Sequence, residues 1–125
     1  MSENELAKQI VNACYQIHVG LGPGLLESVY EEVLSFELLS LGLHIKRQLG
    51  LPVVWKELSM SLGFRADLVV ENKVIVEIKS VETIAPVHAK QLLTYLRITG
   101  LKLGLLVNFN EPLIKNGITR VVNNL

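Results

Sequence analysis

Three stretches of the chain place apolar residues at the three- and four-residue spacing of an amphipathic helix. The first begins at Ser2 and Glu5, which have the separation of a capping box, and is expected to end near the glycine-rich segment 20–24. Its apolar positions are Leu6, Ile10, Ala13, Cys14 and Ile17.

A second helix is predicted between this segment and Gly42, because glycine readily takes the left-handed conformation that ends helices. Its apolar stripe is predicted to be Leu26, Val29, Val33 and either Phe36 or Leu38. A third helix is predicted to start at Pro86, which suits a first helical turn, and to run to about Thr99 before Gly100.

Short apolar runs between the second and third helices predict strands at 43–48, 51–56, 60–70 and 74–79, and a further run predicts a strand at 103–107. The segments 69–70 and 74–76 are almost entirely apolar, as in strands covered on both faces. The order is α-α-β-β-β-β-α-β, and residues 118–122 could form a last strand or a short helix. This order predicts an α/β fold in which helices flank a mixed sheet.

Composition adds size and charge to this picture. The 125 residues, half of them apolar, predict a single domain over 1–125. Twelve basic and 12 acidic side chains cancel, which argues against a polybasic nucleic-acid-binding protein without excluding a local basic groove. A small, apolar chain could also hide surface in a homodimer.

Two further observations concern the compartment. The single cysteine, Cys14, cannot form an internal disulfide, which fits a reducing environment. The acidic start of the chain lacks the features of a signal peptide, and no apolar run reaches the roughly 18 residues that cross a bilayer. A soluble, cytoplasmic protein without membrane association is therefore expected.

Candidate chemistry centres on two carboxylates. Asp67 and Glu77 are symmetric about Asn72, the middle of a polar turn, so a hairpin would place them opposite each other. Side chains alternate along a strand, so Lys79 should share a face with Glu77, and Arg65 with Asp67. Opposed like charges are destabilising, and a proton, the nearby cations or a divalent metal must offset them.

Two interpretations of this cluster stay open at this point. Carboxylate oxygens suit Mg²⁺, which often binds through one or two carboxylates and can polarise a phosphoryl oxygen. Lys79 would then steady developing negative charge. Alternatively, Asp67, Glu77 and Lys79 form an ordinary structural ion-pair network, because short motifs are loose signals.

The spacing resembles a known nuclease motif. Phe64-Arg-Ala-Asp67, nine residues and then Glu77-Ile-Lys79 resemble the core motif of PD-(D/E)xK nucleases, which have a restriction-endonuclease-like fold. The resemblance implies that Asp67, Glu77 and the Ile78 carbonyl hold Mg²⁺, with Mn²⁺ as a possible substitute, and that Lys79 is catalytic. Gln91-Leu-Leu-Thr-Tyr95 resembles the helix motif that supports the active site in one branch of these enzymes.

A narrower resemblance is to the small GxxExxY proteins. It rests on Gly24-Leu-Leu-Glu27-Ser-Val-Tyr30 and on four shorter segments, Gly22-Pro-Gly24, Leu51-Pro-Val53, Ala85-Pro-Val-His88 and Val107-Asn-Phe-Asn110. The resemblance implies that Glu27 is an additional acidic site residue, close to the metal directly or through water.

Several of these residues also have plainer explanations. Glu27 could simply favour the positive end of its helix, and Tyr30 is expected to pack with a hydrogen-bonded hydroxyl. His88, Gln91 and Tyr95 form one polar stripe, which either meets solvent or faces the site. For the basic pair 46–47, a solvated strand edge is favoured over a phosphate contact.

Three functions follow from these predictions. The first is a metal-dependent phosphodiesterase acting on DNA or RNA, with Arg65 neutralising charge or contacting phosphate. The second is a non-catalytic module that keeps the nuclease fold and binds nucleic acid or a protein. The third is an α/β domain whose acidic patch is structural.

Overall fold

The computed structural model describes residues 1–125, apart from the side chain of residue 62. Within these residues the chain forms three α-helices, five strands and one 3₁₀ turn at Ile114–Asn116. Their order is α1 (Glu3–Leu21), α2 (Glu27–Ser40), β1 (Ile45–Trp55), β2 (Leu58–Val70), β3 (Val74–Lys79), α3 (Pro86–Thr99), β4 (Leu103–Asn108) and β5 (Ile118–Val122).

The strands form one mixed sheet in the order β1-β2-β3-β4-β5. Only β3 and β4 are parallel, and α3 makes the crossover that a parallel pair requires. The other neighbours are antiparallel. The predicted mixed sheet flanked by helices is confirmed, and the segment at 118–122 is a strand.

Helices cover both faces of this sheet. On one face, α1 and α2 pack on the inward residues of β2, β3 and β4, with Ile10, Leu34 and Val76 among the fully buried side chains. On the other face, α3 packs through Leu92 and Leu96. Gly104 allows α3 to come close, since a β-carbon there would lie 2.8 Å from the Leu92 side chain.

Helix ends follow the predicted signals. Ser2 and Glu5 form the reciprocal capping box of α1. Gly42, with φ of 82°, follows α2, and the N–H groups of Gly42 and Leu43 bond to Leu39 and Leu38 as in a Schellman motif. α3 runs from Pro86 to Thr99, as predicted.

The two strands predicted at 43–48 and 51–56 are one strand, β1, and this prediction was wrong. Pro52 does not end it because β1 is an edge strand that pairs only with β2, where a missing N–H is tolerated. The pairing register shifts between Leu51 and Val53, so the irregularity is absorbed within the strand.

The predicted inward stripe of α2 was also wrong in part. Leu26, Val29 and Phe36 are 73%, 37% and 67% exposed, respectively, whereas Leu38 is fully buried. The buried face consists of Tyr30, Glu31, Leu34, Ser35 and Leu38. Because α2 carries apolar residues on two sides, periodicity alone could not identify the side that packs on the sheet.

In the part of the chain that the structure describes, no helix is both long enough and apolar enough to cross a membrane.

Candidate active site

The candidate site lies where β2 and β3 separate. Their paired section runs from the turn at 71–73 to Leu68 and Val76. One residue further, the Asp67 Oδ2 atom accepts a hydrogen bond of 2.8 Å from the Ile78 N–H. The Asp67 carboxylate thus replaces a backbone acceptor at the point where β2 and β3 separate, which is the fork between the two strands. Continued by one residue, the register of the paired section would bring Asp67 opposite Glu77, as the symmetry about Asn72 predicts.

In β1, the alternation of side chains between the two faces of the sheet breaks at Gln48, beside Asp67 of β2. Ile45 packs on the α1 and α2 side, and Arg47 reaches Glu31 of α2. Two residues later, Leu49 packs on the α3 side. Between them Gln48 has φ of 48°, a left-handed conformation that is uncommon for residues other than glycine.

A matching break occurs in β2. Leu68 belongs to the core under α1 and α2, whereas Ala66 belongs to the core under α3, and Phe64 stacks on Tyr95 of α3. The break lies between Ala66 and Leu68, so it does not decide whether Arg65 and Asp67 share a face, and that stays a prediction. Arg65 is exposed.

Glu77 is a buried carboxylate without full compensation. It is 8% exposed, and among the described residues its Oε1 atom has no hydrogen-bond partner. Burial raises the pKa of Glu77 to about 9, the charge of Asp67 and a hydrogen bond with its side chain add to the rise, and the Lys79 charge and a hydrogen bond with the Asp67 backbone oppose it. At neutral pH and without a cation, Glu77 therefore holds a proton.

Lys79 approaches Glu77 closely enough to affect its pKa, but not as an ion pair. Across the described residues, salt bridges within 4.0 Å join only Arg47 to Glu31 and Glu32. The interpretation of Asp67, Glu77 and Lys79 as a structural ion-pair network is therefore not confirmed.

The predicted polar stripe of α3 divides in two. Tyr95 stacks on Phe64 at 3.9 Å between ring centroids. Its pKa is raised by burial and by the charges of Glu77 and Asp67, and a hydrogen bond with Gln91 opposes the rise. Gln91 and Tyr95 thus lie on the side of the carboxylates. His88 instead accepts the Ala85 N–H through Nδ1 at 3.3 Å and caps α3.

Glu27 is held against the end of β3. Its Oε2 atom accepts the Ser80 N–H at 3.1 Å, and the Ser80 hydroxyl donates to the Leu25 carbonyl at 2.6 Å. These contacts join the start of α2 to the residue that follows Lys79. Glu27 is therefore more than a charge at a helix end.

Tyr30 secures the loop before α2, as predicted for a packed tyrosine. Its hydroxyl donates to the Gly22 carbonyl at 2.6 Å and accepts the Leu25 N–H at 3.1 Å. The ring is fully buried and stacks on Phe109, with centroids 4.4 Å apart.

An open cleft of about 800 Å³ lies beside these residues. Its lining includes Glu27, Glu31, Gln48, Asp67, Ile78 and Ser80. Asp67 therefore connects the cleft on the α2 side with the buried Glu77.

Two side-chain groups at this site were missed by sequence reasoning. Glu31 accepts hydrogen bonds from Arg47 and Gln48, and its position one turn after Glu27 was the available signal. Asn108 is fully buried and bonds to both the N–H and the carbonyl of Val81, which fixes the segment after β3. The available signal was its place in the segment Val107-Asn-Phe-Asn110, to which no role had been assigned.

A family model described as the PD-(D/E)XK nuclease superfamily matches residues 4–121. The chain belongs to this superfamily. Membership supports a nuclease-type function, with nucleic acid as the substrate class, and enzymes of this superfamily generally use divalent metals. No curated protein and no solved structure matches the chain.

The residues at the fork suit a divalent cation. A buried oxygen of Glu77 has no partner among the described residues, and two neighbouring carboxylates supply the hard oxygen ligands that Mg²⁺ prefers. Glu27 does not complete a ready-made cluster, since no three His, Cys, Asp or Glu side chains converge in the described part of the chain. An ion held here would use two carboxylates and fill its remaining positions with water or carbonyl oxygens.

Proposed function

We propose that this protein is a Mg²⁺-dependent phosphodiesterase that hydrolyses DNA or RNA, with Mn²⁺ as a substitute ion. The observation that carries the proposal is Glu77, a buried carboxylate beside Asp67 with one oxygen lacking a partner among the described residues. Without a positive charge this arrangement is unfavourable, because burying uncompensated polar groups costs free energy.

Asp67, Glu77 and the Ile78 carbonyl would hold the ion, with Glu27 contributing directly or through water. When bound, the ion polarises a phosphoryl oxygen and lowers the pKa of a coordinated water. Its charge would also favour the ionised form of Glu77 over the protonated one.

Lys79 is the catalytic cation in this proposal. Two observations support this role: the Lys79 charge lowers the pKa of Glu77, and Lys79 has no salt bridge among the described residues. Lys79 is thus available to stabilise negative charge that develops on a phosphate. Gln91 and Tyr95 orient the site from α3, and the exposed Arg65 contacts the substrate backbone.

Metal binding is tested by titrating Mg²⁺ and Mn²⁺ into the protein and into an Asp67→Ala/Glu77→Ala double variant. Binding by the protein that the double variant loses would support the ligand assignment. Equal binding by both would contradict it.

Cleavage is tested on single- and double-stranded DNA and RNA with either metal. Lys79→Ala should reduce the rate by roughly 10²–10³-fold, whereas Lys102→Ala, which removes the same charge from an exposed loop position, should match the parent. Equal cleavage by the parent and Lys79→Ala would contradict the assigned role. No cleavage by a parent that binds metal would favour a non-catalytic module, which should bind nucleic acid with strong salt dependence.

A further inference from the structure

One side-chain amide connects the cleft to the carboxylate pair. The Gln48 Nε2 atom donates to Glu31 Oε1 at 2.5 Å and to Asp67 Oδ1 at 3.2 Å. Because Ile78 N–H occupies the other Asp67 oxygen, both oxygens of this carboxylate are held. Asp67 is therefore oriented from two directions, by the backbone of β3 and by a side chain of β1.

The hydrogen bond between Gln48 and Asp67 coincides with an unusual backbone conformation of Gln48. Its φ of 48° interrupts the alternation of β1. The pairs on either side, Arg47–Leu68 and Leu49–Ala66, place Gln48 opposite Asp67 in the register of β1 and β2. Residues other than glycine adopt this conformation at a cost, and such conformations cluster at functional sites. The local irregularity is thus matched to the position of Asp67.

Glu31 accepts the second hydrogen bond of the Gln48 side-chain amide. Its Oε2 atom accepts from Nε and Nη2 of Arg47 at 3.3 and 3.1 Å, and its Oε1 atom accepts from Gln48. Both oxygens of Glu31 are therefore engaged, and its charge is balanced by a guanidinium. Glu31 lines the cleft as a hydrogen-bond acceptor, in contrast to the unpartnered oxygen of Glu77.

We propose that Gln48 and Glu31 are positioning residues that orient Asp67 for metal binding, and that Glu31 is not itself a ligand. This inference rests on the proposed metal-dependent function. Hydrogen-bonded partners of metal ligands fix the orientation of the ligand, and their loss typically weakens metal affinity or activity 10–100-fold.

The test compares Gln48→Ala with the parent in two measurements, Mn²⁺ binding and the Mn²⁺ concentration that half-activates cleavage. Gln48 is exposed, and alanine keeps the β-carbon, so the fold should persist. Both constants should rise about 10–100-fold, and saturating Mn²⁺ should restore the cleavage rate to within a few-fold of the parent. A purely structural role would lower the melting temperature and the yield of active protein without moving the Mn²⁺ constants.

Two further variants test whether Gln48 and Glu31 act on Asp67 as one hydrogen-bonded relay or only through the charge of Glu31. Glu31→Ala should shift the Mn²⁺ constants in the same direction. The Gln48→Ala/Glu31→Ala double variant should shift them no further than Gln48→Ala does, because the effects of residues that act as a unit are not additive. Glu32→Gln is the matched control, since Glu32 contacts Arg47 but not Gln48, and it should leave the constants unchanged.

The outcomes distinguish the two proposals. An active parent whose Mn²⁺ constants are unchanged by Gln48→Ala would overturn the relay and leave the nuclease function standing. An equal shift in Glu32→Gln would also overturn the relay, since it would point to charge alone. A parent that neither binds metal nor cleaves nucleic acid would overturn the function and the relay together.

Discussion

Two buried glutamates, Glu31 in α2 and Glu77 in β3, have the same exposure and opposite surroundings. Each is 8% exposed. Glu31 accepts hydrogen bonds from Arg47 and Gln48, whereas Glu77 faces a second carboxylate, and its Oε1 atom lacks a partner among the described residues. Burial costs a carboxylate its hydration in both places, and Glu31 recovers more of that loss, because both of its oxygens accept hydrogen bonds from side chains. The presence or absence of a partner, rather than burial, separates a structural acid from a candidate ligand.

The difference has an energetic meaning. Glu77 has a pKa raised to about 9 by burial and by Asp67, so the metal-free protein holds a proton at a position where a bound cation would favour a charge. A perturbed pKa combined with a specific charged neighbour is typical of functional sites.

The largest expected effect is the pH dependence of metal-free stability. Because the folded-state pKa of Glu77 is raised from 4.5 to about 9, its contribution to stability is complete below 4.5 and is lost as pH rises through 9. Between these values the free energy of unfolding should fall by up to about 1.4 kcal/mol per pH unit relative to Glu77→Gln, which has no proton to lose. Urea denaturation of both proteins in chelator across this range measures the difference.

Added Mg²⁺ supplies the control for this experiment. In the parent it should reduce the fall in stability with pH, because a bound cation favours ionised Glu77, and in Glu77→Gln it should change little. Parallel pH profiles for the parent and Glu77→Gln without metal would show that Glu77 is compensated after all, and the contrast with Glu31 would disappear.

The same substitution at the other buried glutamate, Glu31→Gln, should destabilise the protein at neutral pH. It removes the charge that accepts two hydrogen bonds from Arg47, and hydrogen bonds to charged groups contribute about 1.5–3 kcal/mol. A loss of about 2 kcal/mol in the free energy of unfolding is expected at pH 7. An unchanged or higher stability would mean that the pair does not offset its own desolvation, as occurs for some buried ion pairs.

Tyr30→Phe extends the comparison to a neutral buried group. The hydroxyl bonds both to the Gly22 carbonyl and to the Leu25 N–H, whereas phenylalanine keeps the ring that stacks on Phe109. A loss of about 1–2 kcal/mol in the free energy of unfolding is expected, at about 1 kcal/mol per hydrogen bond. A smaller loss would show that solvent replaces the hydroxyl in the loop before α2.

Much of this fold was predictable because its signals are local. The capping box at Ser2, the glycine after α2, the bounds of α3 and the hairpin about Asn72 each follow from a few neighbouring residues. The prediction that Asp67 and Glu77 lie close together followed from the hairpin register alone, and the observed pairing extends to the residues beside them, Leu68 and Val76. The family match then confirmed the superfamily, while the roles of individual site residues and the narrower GxxExxY assignment stay predictions.

The features that escaped prediction depend on tertiary contacts. Period-two alternation could not show the break at Gln48, since a left-handed glutamine has no sequence signature. The two apolar sides of α2 could not be ranked without the sheet beneath them. For the same reason Glu31, an acidic residue on the inward side of α2, was not recognised. In each case the deciding partner is distant in the sequence.

The smallest expected effect concerns Glu32, which shares Arg47 with Glu31 and tests whether burial decides the value of an ion pair. The Glu32 side chain is 71% exposed and its bond to Arg47 Nη1 is 2.7 Å long, shorter than the 3.1 Å contact of Glu31 with Arg47 Nη2. Exposed pairs contribute little despite good geometry, because water competes for the charges and the side chains lose freedom. Glu32→Gln should therefore cost about 0.5 kcal/mol or less, measured by urea denaturation at pH 7.

At about 1 M salt, where charges are screened beyond roughly 3 Å, the difference should vanish, whereas the loss in Glu31→Gln should largely persist. A Glu32→Gln loss as large as that of Glu31→Gln would show that bond length rather than burial sets the contribution of each acid, and the distinction between compensated and uncompensated burial would no longer explain Glu31.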